Sequence, residues 1–158
     1  MHEETKPLMS LIGALRLSTR DAKRTKRRFS EFIRENSSAF RHYFGVDLFP
    51  GSLNIDVSTP ASLQRDLDAG SPQPTFVIPK TELINMPDYI GEGQAWSCLL
   101  RGQKFPAPVP CWVFRRIGSR MPLGVIEILA QTKLRDVYDL QHGDVVTIDF
   151  LPPPRVKQ

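Results

Sequence analysis

The sequence predicts a mainly β fold, a small barrel of six or so short strands with one main amphipathic helix near the N-terminus. Most apolar segments are short and are separated by connections that contain Gly or Pro, as is typical of strands. Residues 22–44 carry apolar side chains at the spacing of a helix. Few strands are separated by helices, so the order of elements favours a barrel over a parallel sheet.

The N-terminal third combines a first strand with the predicted helix. Residues 9–17 alternate loosely between apolar and polar side chains and predict the strand. Residues 22–44 predict one amphipathic helix or two short ones, with Asn36 in a segment that could break it and Gly45 placed as its C-cap. The apolar positions of this segment are Phe29, Phe32, Ile33, Phe40, Tyr43 and Phe44.

The clearest strand pattern follows the turn at Pro50-Gly51. From residue 52 to 57 the side chains alternate strictly, which predicts a strand with one buried face. Leu53, Ile55 and Val57 fall on one side, and Ser52, Asn54 and Asp56 on the other. A hydroxyl and a carboxamide oxygen on one face are suited to a hard cation such as Mg²⁺ beside a phosphate.

The rest of the chain predicts further short strands. Residues 58–74 are expected to form an irregular connection, and residues 131–140 a short helix. Three prolines at alternate positions predict that the strand after the hairpin turn begins at an edge or irregularly, because each proline lacks a backbone donor. The strands are predicted over residues 75–79, 94–100, 104–116, 123–129 and 145–151.

The chain of 158 residues is expected to form a single domain. Residues 1–9 are predicted as an N-terminal tail, 10–151 as the barrel, and 152–158 as a Pro-rich C-terminal tail. No apolar run approaches the roughly 18 residues needed to span a bilayer, and no signal-peptide core is present. We therefore expect a cytoplasmic protein without a membrane partner, in which Cys98 and Cys111 are buried thiols.

Positive charge is concentrated at the N-terminal end. The net charge is +4, and residues 1–45 carry ten Lys and Arg against five Asp and Glu. The densest part is the run from Arg16 to Arg28. The run is compatible with a solvated helix face, with contacts to the phosphates of a small molecule, or with salt-sensitive binding of nucleic acid. Of the two partners, nucleic acid is the less favoured.

Three separated motifs resemble, in the same order, those of the archaeal CTP-dependent riboflavin kinases. Residues 51–55 (Gly-Ser-Leu-Asn-Ile) are similar to Gly-Thr-Leu-Asn-Leu, and residues 127–135 to Glu-Ile-Ile-Ala-Pro-Met-Lys-Leu-Arg. Residues 142–146 are similar to the Asp-Gly-Asp-Val segment before the last strand. The resemblance covers roughly residues 10–150. It implies a six-stranded riboflavin-kinase-like (cradle-loop) β-barrel that transfers a phosphoryl group from CTP to riboflavin and yields FMN and CDP.

The resemblance also implies roles for individual residues. Ser52 and Asn54 match the residues that bind Mg²⁺ in the family, and Glu127 matches a flavin contact. Ser119 is the ungapped match to a second flavin contact. The residues that match the nucleotide-binding turn are Thr132, Lys133, Leu134 and Arg135.

One family element is missing. The family has a glycine-rich loop after the first strand, where backbone N–H groups approach the nucleotide phosphates. The matching residues 17–23 contain no glycine. Arg20, Lys23 and Arg24 are candidates to contact phosphates through their side chains instead.

Two functions therefore remain open at this point. The first is a CTP-dependent riboflavin kinase that uses Mg²⁺. The alternative is a non-catalytic barrel that binds a nucleotide or flavin or, through its basic N-terminal helix, nucleic acid. The general base, the preferred nucleotide and the oligomeric state are not fixed by the sequence.

Overall fold

The computed structural model describes residues 6–16, 29–57, 65–84, 91–116 and 124–153. Its strands are Met9–Leu15 (β1), Leu53–Val57 (β2), Phe76–Ile78 (β3), Gly93–Arg101 (β4), Val109–Arg116 (β5), Val125–Leu129 (β6) and Val145–Phe150 (β7). Its helical segments are residues 29–35 (α1), Ser37–Phe44 (α2), residues 65–68 (α3) and Leu134–Val137 (α4), together with a 3₁₀ turn at Lys80–Glu82.

Six of the strands close into an antiparallel barrel, as predicted. The hydrogen-bonded order is β4-β5-β6-β2-β1-β7, and β7 pairs with β4 to complete the circle. The seventh strand, β3, adds to the N-terminal half of β4, where Phe76 lies opposite Ala95. The C-terminal half of β4 pairs with β7, with Cys98 opposite Phe150. Closure removes the exposed edges that an open sheet of these strands would present.

The alternation in β2 sets which face points inward. Leu53, Ile55 and Val57 are buried in the barrel core, while Asn54 is half-buried and Asp56 is exposed. This confirms the predicted two-faced strand. The interior is filled by side chains from six strands together with Leu134 from α4, so the barrel is a packed core and not a channel.

A second apolar cluster covers part of the barrel's outer surface. Phe29, Phe32 and Phe40 from the first two helices pack on Phe114 of β5, and Leu129 of β6 belongs to the same cluster. The ring centroids of Phe40 and Phe114 are 5.5 Å apart in an edge-to-face arrangement, a favourable geometry for aromatic pairs. The amphipathic pattern of the helical segment therefore records its packing on the barrel wall.

The helical segment is broken into two helices at Asn36, which settles the alternative left by the sequence. The Asn36 side chain donates to the Phe32 carbonyl at 2.9 Å and accepts from the Ile84 N–H at 2.7 Å. These hydrogen bonds satisfy the buried Asn36 side chain at the break and connect it to the segment after the 3₁₀ turn. Gly45 ends α2 with a φ of 75°, and its N–H donates to the Arg41 carbonyl, as its position predicted.

Two of the sequence expectations are corrected. The connection predicted to be irregular over residues 58–74 contains the helical turn α3, whose Leu67 is buried in the barrel core. The strand predicted from residue 104 begins only at Val109, and the irregular start that the prolines predicted is confirmed, since Pro106 and Pro108 lie in the loop before it. Pro110 is in β5 but precedes Trp112, where the pairing with β6 begins, so its missing donor is tolerated.

The two cysteines are buried free thiols, as predicted. They lie directly opposite each other on β4 and β5. Burial raises the pKa of Cys98 to about 12 and also raises that of Cys111. Both thiols therefore stay protonated and unreactive, which gives them a packing role. Among the described residues, no helix has the length and apolar character that a membrane span requires.

Candidate active site

A cavity of about 320 Å³ lies at the end of the barrel where β2 begins and β6 ends. It joins three parts of the chain that are distant in sequence: the Pro50-Gly51 turn with Ser52, the segment after β6, and helix α1. The residues of the second part that line it include Thr132, Lys133, Leu134 and Arg135. Thus Ser52 and all four residues predicted to contact a nucleotide lie around one hollow.

A backbone hydrogen bond holds the first two parts together. The Phe49 N–H donates to the Ala130 carbonyl at 2.9 Å, and the Gly51 N–H donates to the Phe49 carbonyl at 2.9 Å. A Cβ on Gly51 would lie 2.9 Å from the Phe49 ring, closer than packed carbon atoms approach. Glycine therefore lets the turn fold tightly over the phenylalanine and brings Ser52 to the cavity.

The segment after β6 is anchored by an apolar residue between two cations. Leu134 is buried in the barrel core, and its neighbours Lys133 and Arg135 are exposed. The Lys133 ammonium lies 3.3 Å from the Asp136 carboxylate, a pair in which both side chains are at least half exposed. Such a pair is weak in water, so Lys133 remains able to bind another anion.

Asn54 lies beside the cavity and is not part of its lining. Its neighbours Ser52 and Leu53 line the hollow, and adjacent Cα atoms are about 3.8 Å apart. The Asn54 Oδ1 atom is buried and, among the described residues, has no hydrogen-bond partner. A buried oxygen without a donor costs free energy, and coordination by a cation would satisfy it.

The Ser52 and Asn54 oxygens therefore fit Mg²⁺ in chemistry. Both are neutral oxygen donors, which Mg²⁺ accepts when phosphates complete its shell. Within the described ranges, no group of three or more His, Cys, Asp and Glu side chains is placed to hold a metal ion. A cation at this position would accordingly depend on a phosphate ligand.

Glu127 is next to Asn54 on the outer face of the barrel. The two residues are directly opposite in the β2–β6 pairing, so their side chains are neighbours on one face of the sheet. Glu127 is only 8% exposed, which excludes the solvated position that an outward strand residue usually takes. The outer face of the barrel therefore carries a buried carboxylate beside the Asn54 amide.

The third wall, from helix α1, was missed by the sequence reasoning. Ser30 and Arg34 line the cavity, and they are four residues apart on one side of the helix. The helical spacing of Phe29, Phe32 and Ile33 was the available signal, because it fixes which side of α1 is buried. The apolar pattern predicted packing of the helix and gave no role to Ser30 or Arg34.

Several predicted contacts lie outside the described residues. These are Arg20, Lys23 and Arg24, proposed for phosphates, and Ser119, proposed for flavin. Of the basic run, Arg16 is described, and its guanidinium lies 3.6 Å from the Asp56 carboxylate.

The sequence matches a known family over most of its length. The family model CTP-dep_RFKase, described as "Domain of unknown function DUF120", matches residues 29–150. The matched range contains α1, the turn before β2 and the segment after β6, and thus all three walls of the cavity.

Two curated relatives are both archaeal riboflavin kinases. The chain is 27% identical over 120 residues to "Riboflavin kinase" of Pyrococcus abyssi, covering 76% of this chain and 51% of that protein. It is 28% identical over 116 residues to "Riboflavin kinase" of Saccharolobus solfataricus, covering 71% of this chain and 59% of that protein. The chain thus spans between half and three fifths of the length of these relatives.

Proposed function

The chain belongs to the CTP-dependent riboflavin kinase family, and from this premise we propose that it transfers the terminal phosphoryl group of CTP to riboflavin. In this reaction the 5′-hydroxyl oxygen of riboflavin bonds to the γ-phosphorus. The bond from that phosphorus to the β–γ bridging oxygen breaks, and the hydroxyl proton passes to solvent. The products are FMN and CDP.

One observation carries the proposal: Ser52 and the segment Thr132–Arg135 line a single cavity although about 80 residues separate them in sequence. A volume of about 320 Å³ is within the usual range for a small-molecule site. Its hydroxyl and cationic side chains suit the phosphates of a nucleotide. Its apolar lining, which includes Phe49 and Ile128, suits the parts of a ligand that carry no charge.

We assign the parts of the site as follows. Lys133 and Arg135 hold the nucleotide phosphates, and Ser52 and Asn54 hold Mg²⁺ next to them. Glu127 accepts hydrogen bonds from riboflavin on the adjoining face. The metal would supply neutralisation of charge on the transferred phosphoryl group. The protein's own contribution is to hold the hydroxyl oxygen and phosphorus in line and to counter negative charge, which are the main terms in phosphoryl transfer.

The test is formation of FMN. The protein is incubated with riboflavin, MgCl₂ and each of the four nucleoside triphosphates in turn, and FMN is measured by chromatography with fluorescence detection. We expect FMN with CTP. Asn54→Ala should lower the rate by about 100-fold or more, since loss of even an outer-shell partner of a metal costs 10–100-fold. Asp56→Asn, two residues further on the same strand, should leave the rate within about twofold.

If no triphosphate yields FMN, the kinase proposal is wrong. If the protein then binds DNA or RNA with an affinity that falls steeply as salt rises, the non-catalytic, nucleic-acid-binding alternative is supported.

A further inference from the structure

Helix α1 presents two polar side chains to the cavity that the proposed nucleotide-binding turn also lines. Ser30 is half-buried and Arg34 is exposed, and both line the hollow. Their separation of four residues places one above the other on the helix surface. A hydroxyl and a guanidinium in this arrangement can both donate hydrogen bonds to one anionic group.

The packing of α1 fixes this orientation. Phe29 and Phe32 are almost completely buried, at 2% and 0% exposure, and Ile33 is buried with them. The Arg116 guanidinium lies over the Phe32 ring, 4.4 Å from its centroid. Because three apolar side chains and a cation–π contact hold one face of the helix against the barrel, the face that carries Arg34 cannot rotate away from the cavity.

The charges around the cavity have one sign. Arg34, Lys133 and Arg135 line it, and no Asp or Glu is among its described lining residues. Within the part of the chain that the structure describes, neither Arg34 nor Arg135 takes part in an ion pair, whereas Arg101 and Arg115 each have a carboxylate within 2.7 Å. The electrostatic potential in the cavity therefore favours an anion.

We propose that Arg34, assisted by the Ser30 hydroxyl, binds the phosphates of the nucleotide in the cavity that Lys133 and Arg135 also line. The inference rests on the proposed function, because it takes the anion to be a nucleoside triphosphate. Residues 17–23 contain none of the glycines that would let backbone N–H groups surround the phosphates. A guanidinium fork offers a bidentate alternative to that contact. This chain thus uses a side chain of α1 to bind phosphates.

Titration calorimetry with three ligands tests the assignment: CTP, inorganic pyrophosphate and cytidine. Arg34→Gln should weaken CTP and pyrophosphate binding by about tenfold or more, the usual effect of losing one hydrogen bond to a charged group. Cytidine binding should be unchanged because cytidine has no phosphate. Arg34→Lys should restore part of the affinity, since it keeps the charge and loses the fork.

Arg41→Gln is the matched control. Arg41 is an exposed arginine on the neighbouring helix α2, and its partner Asp47 is 3.7 Å away. The substitution removes the same charge from an exposed helix position that does not line the cavity. It should leave all three affinities within about twofold of the wild type.

The outcomes separate the two proposals. Equal affinities in Arg34→Gln and Arg41→Gln, with FMN still formed by the wild type, would overturn the role of Arg34 and leave the kinase intact. Arg34-dependent pyrophosphate binding without FMN from any triphosphate would overturn the kinase and leave the phosphate contact. A wild type that binds neither CTP nor pyrophosphate would overturn both.

Discussion

Two clefts at the same end of the barrel use their cations in different ways. The candidate active site is lined by Arg34, Lys133 and Arg135 and by no described carboxylate. A second cleft, of about 440 Å³, lies between the β4–β5 loop and the turn before β7. Its cation, Lys104, has the Asp144 carboxylate at 2.8 Å and donates to the Asp139 carbonyl at 2.7 Å. In this larger cleft, the charge of Lys104 is thus neutralised by a carboxylate of the protein itself.

The comparison shows that volume alone does not identify a ligand site. In the second cleft, Lys104 fixes the turn before β7, and the Asp144 carboxylate also accepts from the Gln141 N–H at 2.8 Å. Lys104 and Asp144 therefore already have partners within the protein and little capacity to bind a ligand. In the first cavity, Arg34 and Arg135 take part in no ion pair with a described residue, and Lys133 has only the exposed Asp136 carboxylate at 3.3 Å. Charge that the protein does not neutralise is available to a phosphate.

Removing cations from each cleft gives the largest expected difference. The double variant Lys133→Gln/Arg135→Gln should weaken CTP binding by about 100-fold, because each lost charge-assisted contact costs about tenfold. Lys104→Gln should change CTP affinity by less than about twofold. Titration calorimetry at fixed ionic strength measures both. A loss of affinity in Lys104→Gln as large as in the double variant would show that the two clefts do not differ.

Paired charges should instead contribute to stability, and Asp149 offers the strongest case. It is only 7% exposed and accepts from Arg101 at 2.6 Å and from Ser10 at 2.6 Å. It therefore links β7 to β4 and β1, at the seam where the barrel closes. Asp149→Asn should lower the free energy of unfolding by about 2 kcal/mol, the scale of a lost buried charge-assisted network.

Urea denaturation measures this change. Asp47→Asn is the control, because Asp47 is exposed and its ion pair with Arg41 is 3.7 Å long, so the expected change is within about 0.5 kcal/mol. If the two variants lose the same stability, the seam contributes no more than an ordinary surface pair.

Local sequence patterns predicted the strands better than they predicted how the strands are joined. The alternation from Leu53 to Val57 is a property of neighbouring residues, so the sequence alone predicted the strand. Closure of the barrel depends on β4 pairing with β7, almost 50 residues later, and β3 shares the same edge of β4. Pairing over such distances leaves no local signal, because it is decided by which apolar faces can be buried together.

The candidate site was likewise predicted only in part. Ser52 and the segment Thr132–Arg135 were identified through the motifs that resemble the kinase family, and the structure brings them to one cavity. Arg34 was not identified, because it is one of several polar positions on its helix, together with Ser30, Glu31 and Glu35. Which of them faces a ligand depends on how Phe29 and Phe32 pack against the barrel, and that packing is a tertiary property.

The smallest expected effect is the pH dependence of the paired carboxylates. The Arg101 guanidinium holds the pKa of Asp149 below its ordinary value, and Lys104 does the same for the pKa of Asp144. The unfolded chain, with an aspartate pKa of about 3.9, therefore takes up protons at a higher pH than the folded protein does. Their stabilisation is fully present above that pH and is lost as the pH falls through the lowered values.

Urea unfolding measured between pH 6 and pH 2.5 tests this dependence. The wild type should lose stability below about pH 4, and Asp149→Asn should lose less over the same interval because one of the two linked groups is gone. Lys133→Gln/Arg135→Gln should follow the wild-type curve, since the cations of the candidate active-site cavity have no buried carboxylate partner among the described residues. Parallel curves for wild type and Asp149→Asn would mean that protonation of the Asp149 carboxylate is not linked to folding. The proposed difference between charges that stabilise the barrel and charges that bind a ligand would then lose its clearest support.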